Sequence, residues 1–116
     1  MIDNEKLAAT LRSFAVERDW DQFHTPKNLA TSISVEAAEL LELFQWSRGQ
    51  KGWDELADLS IRSRVENELA DILLYLIRFA DKAGMDLEAI AERKIALNGK
   101  KYPPERFRGS DRKYDE

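Results

Sequence analysis

Two stretches of this chain have the apolar spacing of an α-helix and carry a pair of carboxylates inside the apolar face itself. The first runs from Leu29 to Trp46 and holds Glu36 and Glu39; the second runs from Arg64 to Ala83 and holds Glu68 and Asp71. Each pair is spaced i,i+3, so on a 3.6-residue helix both acids of a pair project in nearly one direction. Leu29, Ile33, Leu40 and Leu43 fall around Glu36, and Ile61, Ile72, Tyr75 and Phe79 fall around Glu68. A surface helix sets its charges opposite its apolar stripe. Here the acids interrupt the stripe. An unpaired buried charge costs several kcal/mol even after relaxation, and four together would exceed the ~5–15 kcal/mol net stability of a typical domain. Protons, basic partners or metal ions must neutralise them. An all-oxygen donor set, with no cysteine and a single histidine in the chain, suits a hard cation: Mg²⁺, with Mn²⁺ as a substitute.

The remaining sequence is helical in pattern as well. There are five glycines and three prolines, and no stretch alternates as a strand would. The periodicity predicts a first helix from Asp3, as N-cap, to about Arg18, with Leu7, Leu11, Phe14 and Ala15 on its apolar line. An irregular link follows, from Asp19 to Pro26. A second helix starts near Lys27 and ends before Gly49. The loop from Gly49 to Ser60 has room for one helical turn. A third helix covers Ile61 to Ala83 and stops at Gly84, and a fourth, capped by Asp86, runs to about Asn98. The expected fold class is all-α, a bundle of four main helices. The third helix is apolar on nearly every side (Leu69, Ile72, Leu73, Leu74, Leu76, Ile77 and Phe79). Four helices from one chain could hardly cover it, which predicts a homodimer or a dimer of dimers. Residues 1–104 are expected to form the domain, and 105–116 a polar, extended tail after the Pro-Pro pair.

Composition narrows the partners. A length of 116 residues fits one domain. With no cysteine there are neither disulfides nor thiolate zinc sites. A net charge of −4 argues against binding a nucleic-acid polymer, though not against a nucleotide, because bound metal inverts the local field. The first residues are polar and helical, unlike a secretion signal, and no apolar run approaches the ~18–20 residues of a membrane span. The expected location is cytoplasmic.

Two further clusters bear on a ligand. Continuing the apolar stripe of the fourth helix (Leu87, Ile90, Ala91) leads to Lys94, Asn98 and Lys101. Either Lys94 buries its stem and keeps its head wet, or these residues face the acids and supply the cations and amide that a polyphosphate requires. Trp20, Phe23 and His24 lie in the link, and Trp46 lies two turns after Glu39. They serve core packing, or they stack on a base and read its edge.

Four segments together resemble one family: RDWDQFHTPKNLA, VEAAELLELFQW, ENELADILLYL and KIALNGKKYP. They are similar to the MazG-like all-α nucleoside triphosphate pyrophosphohydrolases, and to their dCTP pyrophosphatase branch in particular, over about Phe14 to Pro103. The resemblance implies that Glu36, Glu39, Glu68 and Asp71 hold Mg²⁺ and that Glu36 or Glu39 orients or deprotonates the attacking water. It implies that Lys94, Asn98, Lys101 and Tyr102 bind phosphate, that Trp20, His24, Asn28 and Trp46 form the base pocket, and that Tyr75 lies close to the nucleotide. The expected reaction is hydrolysis of a (deoxy)nucleoside triphosphate, dCTP above others, to the monophosphate and pyrophosphate, in nucleotide pool cleaning. The alternatives are a related enzyme for dUTP or phosphoribosyl-ATP, or a non-catalytic helical interaction module in which the acids pair with Lys94 and Lys101.

Overall fold

The computed structural model describes residues 1–49 and 52–113, and every element among them is helical. The chain falls into two compact units, Met1–Ala83 and a second that begins at Gly84. In the first unit α1 spans Asn4–Glu17, α2 Pro26–Glu42 and α3 Leu59–Ala83, with short 3₁₀ turns at Asp21–Phe23 and Gly52–Ala57. The second 3₁₀ turn is the helical turn expected between Gly49 and Ser60.

Local chemistry explains the boundaries. Asp3 caps α1 by accepting the Lys6 N–H at 3.0 Å. The Thr25 hydroxyl accepts the Asn28 N–H at 3.2 Å, and Pro26 in the first turn has no N–H left to satisfy. After α1 the chain reverses through Asp19, whose φ of 54° is left-handed. Aspartate tolerates that region better than most residues, and Gln22 Nε2 ties the turn by donating to the Asp19 carbonyl and Oδ2, both at 3.0 Å. Gly84, at φ 69°, ends α3.

α2 and α1 both pack on α3. The buried apolar side chains of this unit are Ala15, Leu29, Val65, Ile77 and Ala80. Burial on α3 is narrower than its sequence suggested: Leu69 is 52% exposed and Leu76 is exposed too. An apolar groove of about 720 Å³ opens between α2, the Gly52–Ala57 turn and α3, lined by Leu40, Leu41, Phe44, Trp53, Leu56 and Leu69 among others.

Three boundaries differ from the sequence expectation. α2 ends at Glu42, short of Trp46, where the helical pattern of the sequence ends. Past it the backbone tightens into i→i−3 bonds, with Phe44 N–H donating to Leu41 O at 2.9 Å and Ser47 N–H to Phe44 O at 2.9 Å, so the helical register is lost. α3 begins at Leu59, where Asp58 Oδ1 accepts the Ser60 N–H at 2.9 Å. In the second unit, α4 runs Leu87–Lys101 from its Asp86 cap, beyond the Asn98 expected. A short α5, Pro104–Phe107, replaces extended chain. Phe107 is buried there, edge-on to Tyr102 with ring centroids 4.9 Å apart, and the Arg112 guanidinium lies 5.0 Å from its centroid. No helix among the described residues is long and apolar enough to cross a membrane.

Candidate metal centre

The acids meet where α2 and α3 pack. Glu36 and Glu39 stand one turn apart on α2, and Glu68 faces them from α3; one carboxylate oxygen from each lies within 4.8 Å of the other two. All three residues are half-buried. Glu36 Oε2 and Glu68 Oε2 are buried with no hydrogen-bond partner. Buried polar atoms in folded proteins are almost always satisfied, so two orphaned oxygens side by side call for a proton or a cation. The Glu36 carboxyl is pushed up to about 7: the Glu68 carboxylate beside it, able to share a proton, contributes most, followed by burial and then by Glu39 and Asp71.

These residues fit a hard dication. Mg²⁺ takes all-oxygen donor sets with carboxylates among them, and the three carboxylate oxygens gather within 4.8 Å of one another. Asp71, one turn after Glu68, is exposed and outside the close group, yet near enough for its charge to add to the pressure on Glu36.

The other expected site residues are distributed as follows. Trp20 is partly exposed and packs edge-on against Phe14, centroids 5.7 Å apart at 67°. The Asn28 side-chain amide donates to the Phe23 carbonyl at 2.9 Å, closing the link onto α2. Tyr75 is half-buried on α3, one turn after Asp71. Trp46 was expected to ride α2 on the same side as Glu39. Because α2 ends at Glu42, that register does not reach it, and the side chain is 89% exposed. In the second unit, Lys94, Asn98 and Lys101 follow one another at i, i+4 and i+7 along α4 and are exposed, and Tyr102 closes the helix as its C-cap.

Arg78 belongs to no expected site, yet it organises the region around His24. It is 4% exposed. Its Nη2 donates to Asp21 Oδ1 at 2.7 Å and its Nε to His24 Nδ1 at 3.0 Å. Lys82 Nζ reaches the same Asp21 oxygen at 2.6 Å, and Arg12 holds Asp81 with bonds of 2.9 and 3.2 Å. The Lys82 bond is the largest cause that holds the Asp21 carboxyl below its ordinary value, and Arg12 does the same for Asp81. His24 is also lowered, by burial first and then by the charges of Arg78 and Lys82. One signal in the sequence could have flagged this cluster: Arg78 is a lone charge inside the apolar run ILLYLIRFA.

Several proteins share this arrangement of sequence. Human dCTP pyrophosphatase 1 is 40% identical over 107 residues, covering 89% of this chain and 61% of the human protein; the bovine protein of the same name is 40% identical over 101 residues. The chain thus spans about 60% of the length of the curated relatives it matches. A crystal structure of a pyrophosphatase from Archaeoglobus fulgidus DSM 4304 superimposes with a TM-score of 0.80 at 43% identity, covering 89% of this chain and 94% of that one. The profile of the MazG-like family matches residues 31–116, a span that contains Glu36, Glu39, Glu68 and Asp71, and with these likenesses the chain belongs to the MazG-like family.

Proposed function

We propose that the protein is a divalent-metal-dependent nucleoside triphosphate pyrophosphohydrolase, with dCTP as favoured substrate, acting in nucleotide pool sanitation in the cytoplasm. The observation that carries this is the α2–α3 carboxylate cluster with its two orphaned buried oxygens. The names of the relatives support it: both mammalian proteins are dCTP pyrophosphatases, and the archaeal neighbour is a pyrophosphatase.

Glu36, Glu39 and Glu68 would hold Mg²⁺, or Mn²⁺ in its place, with Asp71 completing the set. When bound, such an ion neutralises charge on the triphosphate and the charge that develops as the bridging oxygen leaves. The protein's own part is positioning and proton handling. Glu36 or Glu39 orients a water in line with the α-phosphorus, opposite that bridging oxygen, and takes its proton as the new P–O bond forms. Pyrophosphate departs, and the nucleoside monophosphate keeps the water's oxygen. Lys94, Asn98, Lys101 and Tyr102 are assigned to the phosphates. Trp20, His24, Asn28, Trp46 and Tyr75 are assigned to the base, with the tryptophans supplying stacking surface.

A nucleotide panel tests this directly. With Mg²⁺, dCTP should yield dCMP and pyrophosphate faster than dUTP or the ribonucleotides do, and chelator should abolish the reaction. Equal or faster turnover of dUTP or phosphoribosyl-ATP would reassign the substrate. Trp46 gives a sharper check. Its exposure predicts that Trp46→Ala changes stability by no more than ~0.5 kcal/mol. Its assignment predicts a severalfold rise in KM for dCTP with an unchanged Mg²⁺ requirement. An unaltered KM would remove Trp46 from the base pocket.

The active unit is assigned as a homodimer or homotetramer. Leu69, at 52% exposure, and Trp53, at 87%, line the apolar groove of the first unit, and contiguous apolar surface of this kind marks an interface. Sedimentation equilibrium should give at least twice the 13.4 kDa chain mass. A Trp53→Glu change should lower the assembly state. A monomer at micromolar concentration would contradict the assignment.

A further inference from the structure

The bonds around Arg78 are not equivalent. Asp21 and Asp81 each have a second cation, Lys82 and Arg12 respectively, so neither carboxylate depends on Arg78 for neutralisation. His24 is different. Arg78 Nε is 3.0 Å from His24 Nδ1, and a guanidinium nitrogen can only donate. Nδ1 must therefore carry the lone pair, and a neutral imidazole in that bond keeps its proton on Nε2. A protonated imidazole would oppose two donors and set one cation against another. Nε2 has no partner among the described residues and is not sealed from solvent, so its N–H is open to a ligand. The groups beside the ring are Arg78, Lys82 and Asp21, together with apolar Leu29 and Phe79.

We infer that Arg78 is a positioning residue for base selection: it locks His24 as the Nε2–H tautomer and so makes the open edge of the ring an obligate donor, which favours a base presenting an unprotonated ring nitrogen. Cytosine presents such an acceptor at N3, next to its O2. Uracil and thymine present an N–H at N3, which would set donor against donor. The inference rests on the assignment of His24 to the base pocket. Burial and the neighbouring cations, which outweigh Asp21, lower the proton affinity of His24 and keep the ring neutral at physiological pH. A donor–donor clash that leaves the ring N–H without an acceptor costs on the order of 10–100-fold in relative affinity.

His24 is the only histidine in the chain, so ¹H–¹⁵N correlation of the imidazole has one ring to report. In the wild-type protein at pH 7, Nε2 should be protonated and Nδ1 should show the shift of an unprotonated acceptor. In Arg78→Met the two tautomers should mix and the ring should titrate at higher pH. Titration with dCMP should move the wild-type Nε2 signal and dUMP should do so far less, and Arg78→Met should shrink that difference at least ~10-fold. A wild-type ring that is charged at pH 7, or protonated on Nδ1, overturns the lock whether or not Arg78→Met folds. A locked ring that responds equally to both nucleotides overturns the selection, and one that responds to neither overturns it by removing His24 from the base pocket. Because the readout is product binding, these outcomes are separable from failure of the pyrophosphohydrolase assignment, which turnover alone decides.

Discussion

Replacing Glu68 with glutamine should lower turnover at least ~10³-fold and at the same time raise the melting temperature of the metal-free protein. The two effects have one cause. Glu68 sits against Glu36 and Glu39 with Oε2 buried and unpaired, and its carboxylate is the largest contribution that pushes the Glu36 carboxyl up to about 7. Glutamine keeps the shape and removes the charge, so the metal-free cluster is relieved of repulsion. It also removes an anionic ligand, so a divalent ion is held less well and the triphosphate is left uncompensated. The change should therefore separate stability from activity in opposite directions. If the acids instead served as buried salt-bridge partners in a non-catalytic module, Glu68→Gln would strand a cation and destabilise the fold, by ~3–5 kcal/mol for a fully buried pair. Thermal melts in chelator beside steady-state rates in Mg²⁺ distinguish the two.

Mg²⁺ should stabilise the protein strongly at pH 8 and weakly at pH 5. A hundredfold excess over Kd contributes ~2.7 kcal/mol to a folded state that alone binds the ligand, which for a chain of this size is a rise in Tm of roughly 10 °C. The pH dependence follows from Glu36. Its folded-state value of about 7 lies above its ordinary 4.5, so between these limits the folded protein holds more proton than the unfolded chain does. That contribution to metal-free stability is complete below about pH 4.5 and is lost as pH rises through about 7. Protons and Mg²⁺ compete for the same oxygens, so the gain from metal grows across the same window. His24, whose value is lowered, tilts stability the other way, but it does so with and without metal and cancels in the difference. A Tm rise that is independent of pH would place the ion elsewhere.

The acids were legible in the sequence because helical period alone brings an i,i+3 pair to one direction, and neither Glu36/Glu39 nor Glu68 depends on distant contacts for its facing. The caps at Asp3 and Asp86 were legible for the same reason: a cap is a matter of three or four adjacent residues. Trp46 was misplaced because the end of α2 is not a local property. Nothing in FQWSRG breaks a helix before Gly49, and the tightening past Glu42 accompanies the packing of the Gly52–Ala57 turn on α3. Arg78 was missed because its partners are 54 and 57 residues away, on a link that reads as irregular. Phe107 was missed because the polar residues around it read as tail, while its burial depends on Tyr102 and Arg112 closing around it.

The most direct test of the central claim is hydrolysis of dCTP in ¹⁸O-labelled water with Mg²⁺, followed by mass analysis of both products. Attack at the α-phosphorus predicts one labelled oxygen in dCMP, unlabelled pyrophosphate and no dCDP, all lost on chelation and in Glu68→Gln. Label in pyrophosphate, release of orthophosphate with dCDP, or turnover that persists without a divalent ion would contradict the account.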